Sequence, residues 1–254
     1  MDNNLKEASL PVAPITRTWS TYRRPALLVS LVTGLIVSLV WLPSVPRSAL
    51  FAALLAQQAL MSLLLLFALI AMSLVWSTGQ RLDTWVFRLL NLRGYHPKWL
   101  DHVVGLATQL GNMVMAFLLA GLFFILNNRS LTLEIIFGTL TLWLLVEIIK
   151  GVTDRARPFL DIEGTRIIGW RERGRSFPSG HTAQTFFLAM LFSHRFQFGM
   201  GETAALYAVA VLVGFTRIYV GAHYPRDVIG GAVLGSIWGV LSVLVNPHWL
   251  RLWF

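Results

Sequence analysis

Cysteine is absent from the 254 residues, which excludes disulfides, thiolate metal sites and a cysteine nucleophile. Charge is scarce as well: Asp, Glu, Lys and Arg make up 13% of the chain, against about 25% in globular domains. Acid is the scarcer sign, with 12 Asp+Glu against 21 Lys+Arg and a formal net charge of +9. No internal repeat is visible, which argues against a solenoid. On a soluble chain such a basic excess would point to nucleic acid. Here 56% of the residues are hydrophobic, so the basic residues read as flanks of membrane spans and no nucleic-acid partner is expected. The composition defines an all-α, polytopic transmembrane helix bundle.

About 20 apolar residues are needed to cross the hydrocarbon core. Seven runs, at 25–42, 49–76, 112–126, 131–149, 182–198, 203–220 and 228–245, are bounded by charge, Pro or Gly and are predicted to span. Residues 1–24 form a polar tail, and 25–254 are expected to form one membrane-embedded domain. Acids precede the first apolar run and no A-x-A site follows it, so a cleaved signal peptide is not expected. Residues 79–101, extending toward 111, mix Leu, Trp and Phe with Arg81, Asp83, Arg88, Arg93 and Lys98. That pattern predicts amphipathic helix lying at the interface. Residues 151–180 form a polar, basic loop too long for a tight turn, and such loops are often functional.

Crossing parity brings the polar groups together. The loop that follows Lys150 lies on one face, and the fifth and sixth spans form a hairpin that returns the chain to that face near Arg217. Lys150, Arg157, Ser179, His181, Arg217, His223 and Asp227 therefore converge from three segments attached to helix ends. In the first segment Lys150 and Arg157 stand seven residues apart, with Pro158 stiffening the exit. The second, Pro178-Ser179-Gly180-His181, opens a span, where free N–H groups make an anion site. In the third, His223 and Asp227 at i, i+4 are expected to share a helix face, the carboxylate fixing one imidazole nitrogen.

Each segment alone has a plainer explanation: flanking charge, an ordinary Ser cap, or a salt bridge at a helix start. A metal site from His181, His223, Asp227 and Asp154 or Asp161 is opposed by the cations beside it. A transporter using the cationic cluster without chemistry would need broken or repeated halves, and the sequence has neither.

Taken together the three segments resemble the type 2 phosphatidic acid phosphatase (PAP2) superfamily, which also contains the vanadium haloperoxidases. Its signature is K-x6-R-P, P-S-G-H and S-R-x5-H-x3-D. The sequence has Lys150-x6-Arg157-Pro158, Pro178-Ser179-Gly180-His181 and Thr216-Arg217-x5-His223-x3-Asp227, with Thr216 in place of the usual Ser. The resemblance implies a six-helix core, to which the first apolar run is an addition. It implies His223 as nucleophile, Asp227 orienting it, and His181 as general acid and then base. It implies Lys150, Arg157, Ser179, Gly180 and Arg217 as the phosphate cradle, with no metal and no cofactor. The expected activity is hydrolysis of a lipid phosphate or isoprenoid (pyro)phosphate through a phosphohistidine. Transfer to a hydroxyl acceptor by the same intermediate is the alternative.

Sidedness carries two opposed expectations. With seven spans, every Lys and Arg except Arg47, Arg129, Arg195 and Arg251 falls on the site's face, which the positive-inside rule places in the cytoplasm. The resemblance implies the outer face of the cell membrane. The choice turns on whether 25–42 spans or re-enters.

Overall fold

The computed structural model describes residue 33 and residues 57–93 and 96–249, which are helical with no strand among them. The polar tail, the predicted span 25–42 apart from residue 33, and the start of the second span lie outside the described residues. Helix α1 (Gln58–Ser73) is followed by α2 (Ser77–Asn91), and the chain bends by 92° between them. Helix α3 (Lys98–Ala107) runs through a 3-10 turn (Thr108–Gly111) and bends by 59° into α4 (Met113–Ile125). Then come α5 (Arg129–Thr153), the short α6 (Pro158–Asp161), α7 (Gly180–Arg195), α8 (Met200–Tyr219) and α9 (Pro225–Trp249).

The helix starts follow local chemistry. The Asn112 side chain accepts from the Val114 N–H at 3.1 Å to cap α4, and Asn128 accepts from the Leu131 N–H at 3.2 Å to cap α5. Each cap satisfies a donor that the helix itself leaves unpaired. Among the described residues three helical stretches, Arg129–Asp161, Met200–Tyr219 and Pro225–Leu244, are long and apolar enough to cross a membrane. The number rises to five if each bent pair is one span. This is a multi-pass helical membrane protein. The predicted span 182–198 begins two residues earlier, as α7, and has only 16 residues. At 1.5 Å per residue it falls short of the hydrocarbon thickness. It sits at the centre of the bundle, against α5, α8 and α9.

Lipid tails are as apolar as Leu, so close packing rather than water exclusion holds such helices together. Phe187 of α7 is fully buried in a cluster with Ala120, Leu131, Ile135, Leu142 and Leu234. Gln184 donates to Thr139 at 2.9 Å, a buried polar tie between α7 and α5. The α7–α9 contact is closer still. Gly231, Gly235 and Gly239 stand four apart, and a Cβ at Gly235 would lie 2.1 Å from the Ala183 carbonyl oxygen. This spacing of small residues lets two backbones meet. Gly235→Val is therefore expected to destabilise the protein by roughly 1–3 kcal/mol through overpacking, read as a lower melting temperature in detergent. Gly121→Ala is the control, because nothing lies within 4 Å of a Cβ there.

The amphipathic region has two distinct sides. The exposed arginines lie on one side of α2, while Asp83, Phe87 and Asn91 are buried on the other. The Asn91 amide donates to the carbonyls of Tyr219 (2.7 Å) and Arg166 (3.0 Å) and accepts from the Arg166 N–H (2.9 Å). The Asp101 carboxylate accepts both from the Arg166 guanidinium and from the Tyr219 hydroxyl. These bonds fasten α2 and α3 to the end of α8 where the polar segments gather.

Candidate active site

The C-terminal ends of α5 and α8 and the N-terminal ends of α7 and α9 meet at one end of the bundle. The α5 helix closes at Asp154, whose φ of 47° turns the chain out of the helix. After α6, an irregular run from 162 leads to Ser179. Gly221 ends α8 with φ +85°, and a Cβ there would meet the Arg166 carbonyl oxygen at 2.2 Å. Only glycine fits a turn with that sign and that neighbour. It brings His223 back under α8, where the His223 N–H donates to the Arg217 carbonyl at 3.1 Å.

His223 is 1% exposed. Its Nε2 lies 3.3 Å from Arg157 Nη1, and its Nδ1 lies 3.5 Å from Ser176 Oγ and 3.7 Å from Asp227 Oδ2. The two ring nitrogens thus face different surroundings: Arg157 and the Glu172 carboxylate on the Nε2 side, Ser176 and the buried Asp227 carboxylate on the Nδ1 side. The predicted shared helix face does not form, because α9 starts at Pro225 and His223 stands in the turn before it. Asp227 instead occupies the first turn, where its Oδ2 accepts from the Tyr224 N–H at 2.8 Å. A first-turn carboxylate that returns to a backbone N–H satisfies a donor at the helix start. The same Oδ2 accepts from Ser176 Oγ at 2.5 Å, and Oδ1 pairs with Arg155 at 2.6 Å. At 3.7 Å the carboxylate and the imidazole are outside direct hydrogen-bond range, with the Ser176 hydroxyl touching both.

Arg157 is 1% exposed. It donates to the carbonyls of Arg173, Gly174 and Ala222 and pairs with Glu172 at 2.8 Å. Arg217 donates to Thr108 Oγ1 at 2.6 Å and pairs with the other Glu172 oxygen, while its buried Nε has no hydrogen-bond partner. His181 Nδ1 lies 3.8 Å from the same carboxylate and His223 Nε2 lies 3.7 Å from it. Two arginines and two histidines therefore surround one carboxylate. Burial pushes the Glu172 pKa up, but pairing with His223 and the charges of Arg217, His223 and Arg157 outweigh it and hold the carboxyl well below its usual range.

A cavity of about 250 Å³ opens beside this cluster. Its lining includes Lys150, Arg157, Glu172, Gly180 and His181 together with the apolar Met113, Leu142, Trp143 and Val146 of α4 and α5. Lys150 reaches it while paired with Glu147 at 2.7 Å. Residues 79–101 contribute nothing to the lining of this cavity. The apolar lining comes from α4 and α5, and α2 reaches the site through Asp83, which pairs with Arg155. Ser179 also differs from expectation. It is fully buried outside the lining, and its hydroxyl accepts from Thr182 Oγ1 at 2.9 Å as the cap of α7.

Four residues were missed by sequence reasoning. Arg155 joins two buried acids, pairing with Asp83 and Asp227, while its guanidinium lies 4.4 Å from the centre of the Tyr224 ring. Asp83 also accepts from the Arg226 N–H and side chain. Ser176 lies between Asp227 and His223. Glu172 occupies the middle of the cationic group. The two remaining acids of the predicted metal alternative are placed elsewhere. Asp154 pairs with Arg175, and Asp161 accepts from the Tyr224 hydroxyl at 3.3 Å.

Fold and site define a multi-pass membrane protein with a cationic, histidine-flanked pocket at a helix-bundle end. The PAP2 superfamily model matches residues 131–251. The chain is 31% identical over 170 residues to the undecaprenyl-diphosphatase BcrC of Bacillus subtilis, covering 64% of this chain and 85% of that one. A lipid A 1-phosphatase of Rhizobium johnstonii is 37% identical over 109 residues, 40% of this chain. The crystal structure of Aquifex aeolicus LpxE superposes with a TM-score of 0.56 at 33% identity, covering 63% of this chain and 93% of that one. The chain belongs to the PAP2 superfamily. It spans about half the length of several of the curated relatives it matches, 42% of that Rhizobium protein among them.

Proposed function

We propose that the protein hydrolyses the terminal phosphate of a membrane lipid, without a metal, through a phosphohistidine. The observation that carries this reading is the convergence of Arg157, Arg217, His181 and His223 on a single oxyanion, the Glu172 carboxylate. A phosphoryl group in that position has its equatorial charge met by two guanidinium groups, with Lys150 on the cavity wall. His223 Nε2 attacks phosphorus and forms a P–N bond as the bond to the lipid oxygen breaks. His181 gives that oxygen a proton. His181 then takes a proton from water, whose oxygen attacks phosphorus, and the P–N bond breaks to release inorganic phosphate. Asp227 and Ser176 hold Nδ1 protonated throughout, which leaves Nε2 free to attack.

The apolar lining from Met113, Leu142, Trp143 and Val146 suits an acyl or prenyl chain that stays in the bilayer. The relatives' names cover undecaprenyl diphosphate, lipid A and phosphatidylglycerophosphate, so the lipid phosphate class is proposed here rather than one member. The test is phosphate release from a panel of prenyl diphosphate, phosphatidic acid, phosphatidylglycerophosphate and lipid A, with and without EDTA. Release that persists in EDTA, together with acid-labile, base-stable labelling by a ³²P-substrate, is expected. Turnover lost to the chelator, or turnover with no trapped protein, overturns the mechanism.

A further inference from the structure

Glu172 has no part in the reaction above, yet its side chain holds the position the reaction needs. Its two oxygens engage Arg157 and Arg217, and both histidines lie within 3.8 Å. The backbone on its C-terminal side is pinned, because Arg157 also binds the carbonyls of Arg173 and Gly174. A displaced carboxylate would therefore leave by rotation of the side chain, with this backbone held. A carboxylate brings two oxygens and one charge, and it leaves Arg217 Nε buried and unpartnered. A terminal phosphate brings three oxygens and up to two charges, so it can meet a donor that the carboxylate leaves unmet.

We propose that Glu172 is a resident competitor for the phosphate position: it fills the cradle until a terminal phosphate displaces it. The consequence is a threshold. Every ligand's apparent affinity is lowered by the same factor, the fraction of time the cradle is open. Phosphate monoesters and diphosphates bind strongly enough to cross it, while the monoanionic phosphodiesters of the surrounding bilayer do not. The inference rests on the phosphatase reading for the position of the phosphate, but it is tested by binding rather than by turnover.

The experiment is calorimetric titration of the full chain in detergent at pH 8 with inorganic phosphate and with dimethyl phosphate, a diester monoanion. Glu172→Gln is expected to tighten inorganic phosphate on the order of tenfold, and to tighten dimethyl phosphate by an equal factor. Glu172→Ala, which also removes the amide's hydrogen-bonding atoms, should act at least as strongly. Unequal gains, with the dianion gaining roughly the square of the monoanion's factor, would mean that the carboxylate stays in place and merely repels, and would overturn displacement. Unchanged or weaker binding in both variants, with a fall in kcat alone, would overturn the proposal and make Glu172 a positioning residue for His181. A protein that binds phosphate as expected but releases none from any lipid would refute the phosphatase reading and leave the competitor intact.

Discussion

The His223→Ala substitution is expected to lower kcat for phosphate release by about 10⁴-fold or more, with KM changed far less. The size follows from what remains. In the proposed mechanism Arg157, Arg217 and Lys150 would still hold the phosphoryl group, so substrate binding should survive, but the two-step route through a P–N bond would be closed. Water must then attack phosphorus directly, and without a P–N intermediate the acid–base exchange proposed for His181 has nothing left to act on. Non-additivity gives a sharper form of the same test. Groups that act as one unit cost about as much singly as together. His181→Ala combined with His223→Ala should therefore be little slower than His223→Ala alone. Full activity in either variant, or strictly multiplicative losses, would sink the assigned roles.

The parts of this site that the sequence made legible are those whose geometry is fixed within a short stretch. Lys150 and Arg157 are placed by one helix end and one turn, His181 by the start of α7, and Arg217 and His223 by the glycine turn between them. The parts that were not legible join distant segments. Arg155 meets Asp83 across 72 residues, and Ser176 meets Asp227 across 51. No local spacing encodes either contact. Signals were nevertheless present. Asp83 is the one acid in 79–100, facing inward from a helix whose other charges are basic, and Glu172 is the one acid among Arg171, Arg173 and Arg175. In each case the minority charge marked a contact with a buried arginine. The helix-face reading of His223 and Asp227 failed for a related reason: Pro225 suits the first helical position, so the helix begins between them.

The buried Asp83–Arg155–Asp227 chain carries the largest expected effect on stability. Arg155 has 8% side-chain exposure, and its two carboxylate partners have 2% and 0%. Removing one member of such a group leaves charge buried without compensation, at a cost of about 3–5 kcal/mol. Arg155→Ala is expected to reach that range, because Asp227 loses its guanidinium partner and keeps only Ser176 and a backbone N–H on its remaining bonds. Asp83 suffers less, since Arg226 still pairs with it at 2.7 Å. The asymmetry makes the group dissectible. Asp83→Asn should be the milder change, leaving Arg155 on Asp227 and the imidazole in place. Arg155→Ala should lower both the melting temperature and kcat, because the carboxylate beside Nδ1 is then free to turn away from His223. Arg155→Lys should restore part of the stability with a single bond to one acid, and less of the activity, since a point charge cannot bridge two carboxylates as the planar fork does. In a double-mutant cycle, Asp83→Asn with Arg155→Ala should destabilise by less than the sum of the singles, because each single change already removes the Asp83–Arg155 pair. An additive cycle would mean that the two residues do not share an interaction, and would remove α2 from the support of the site.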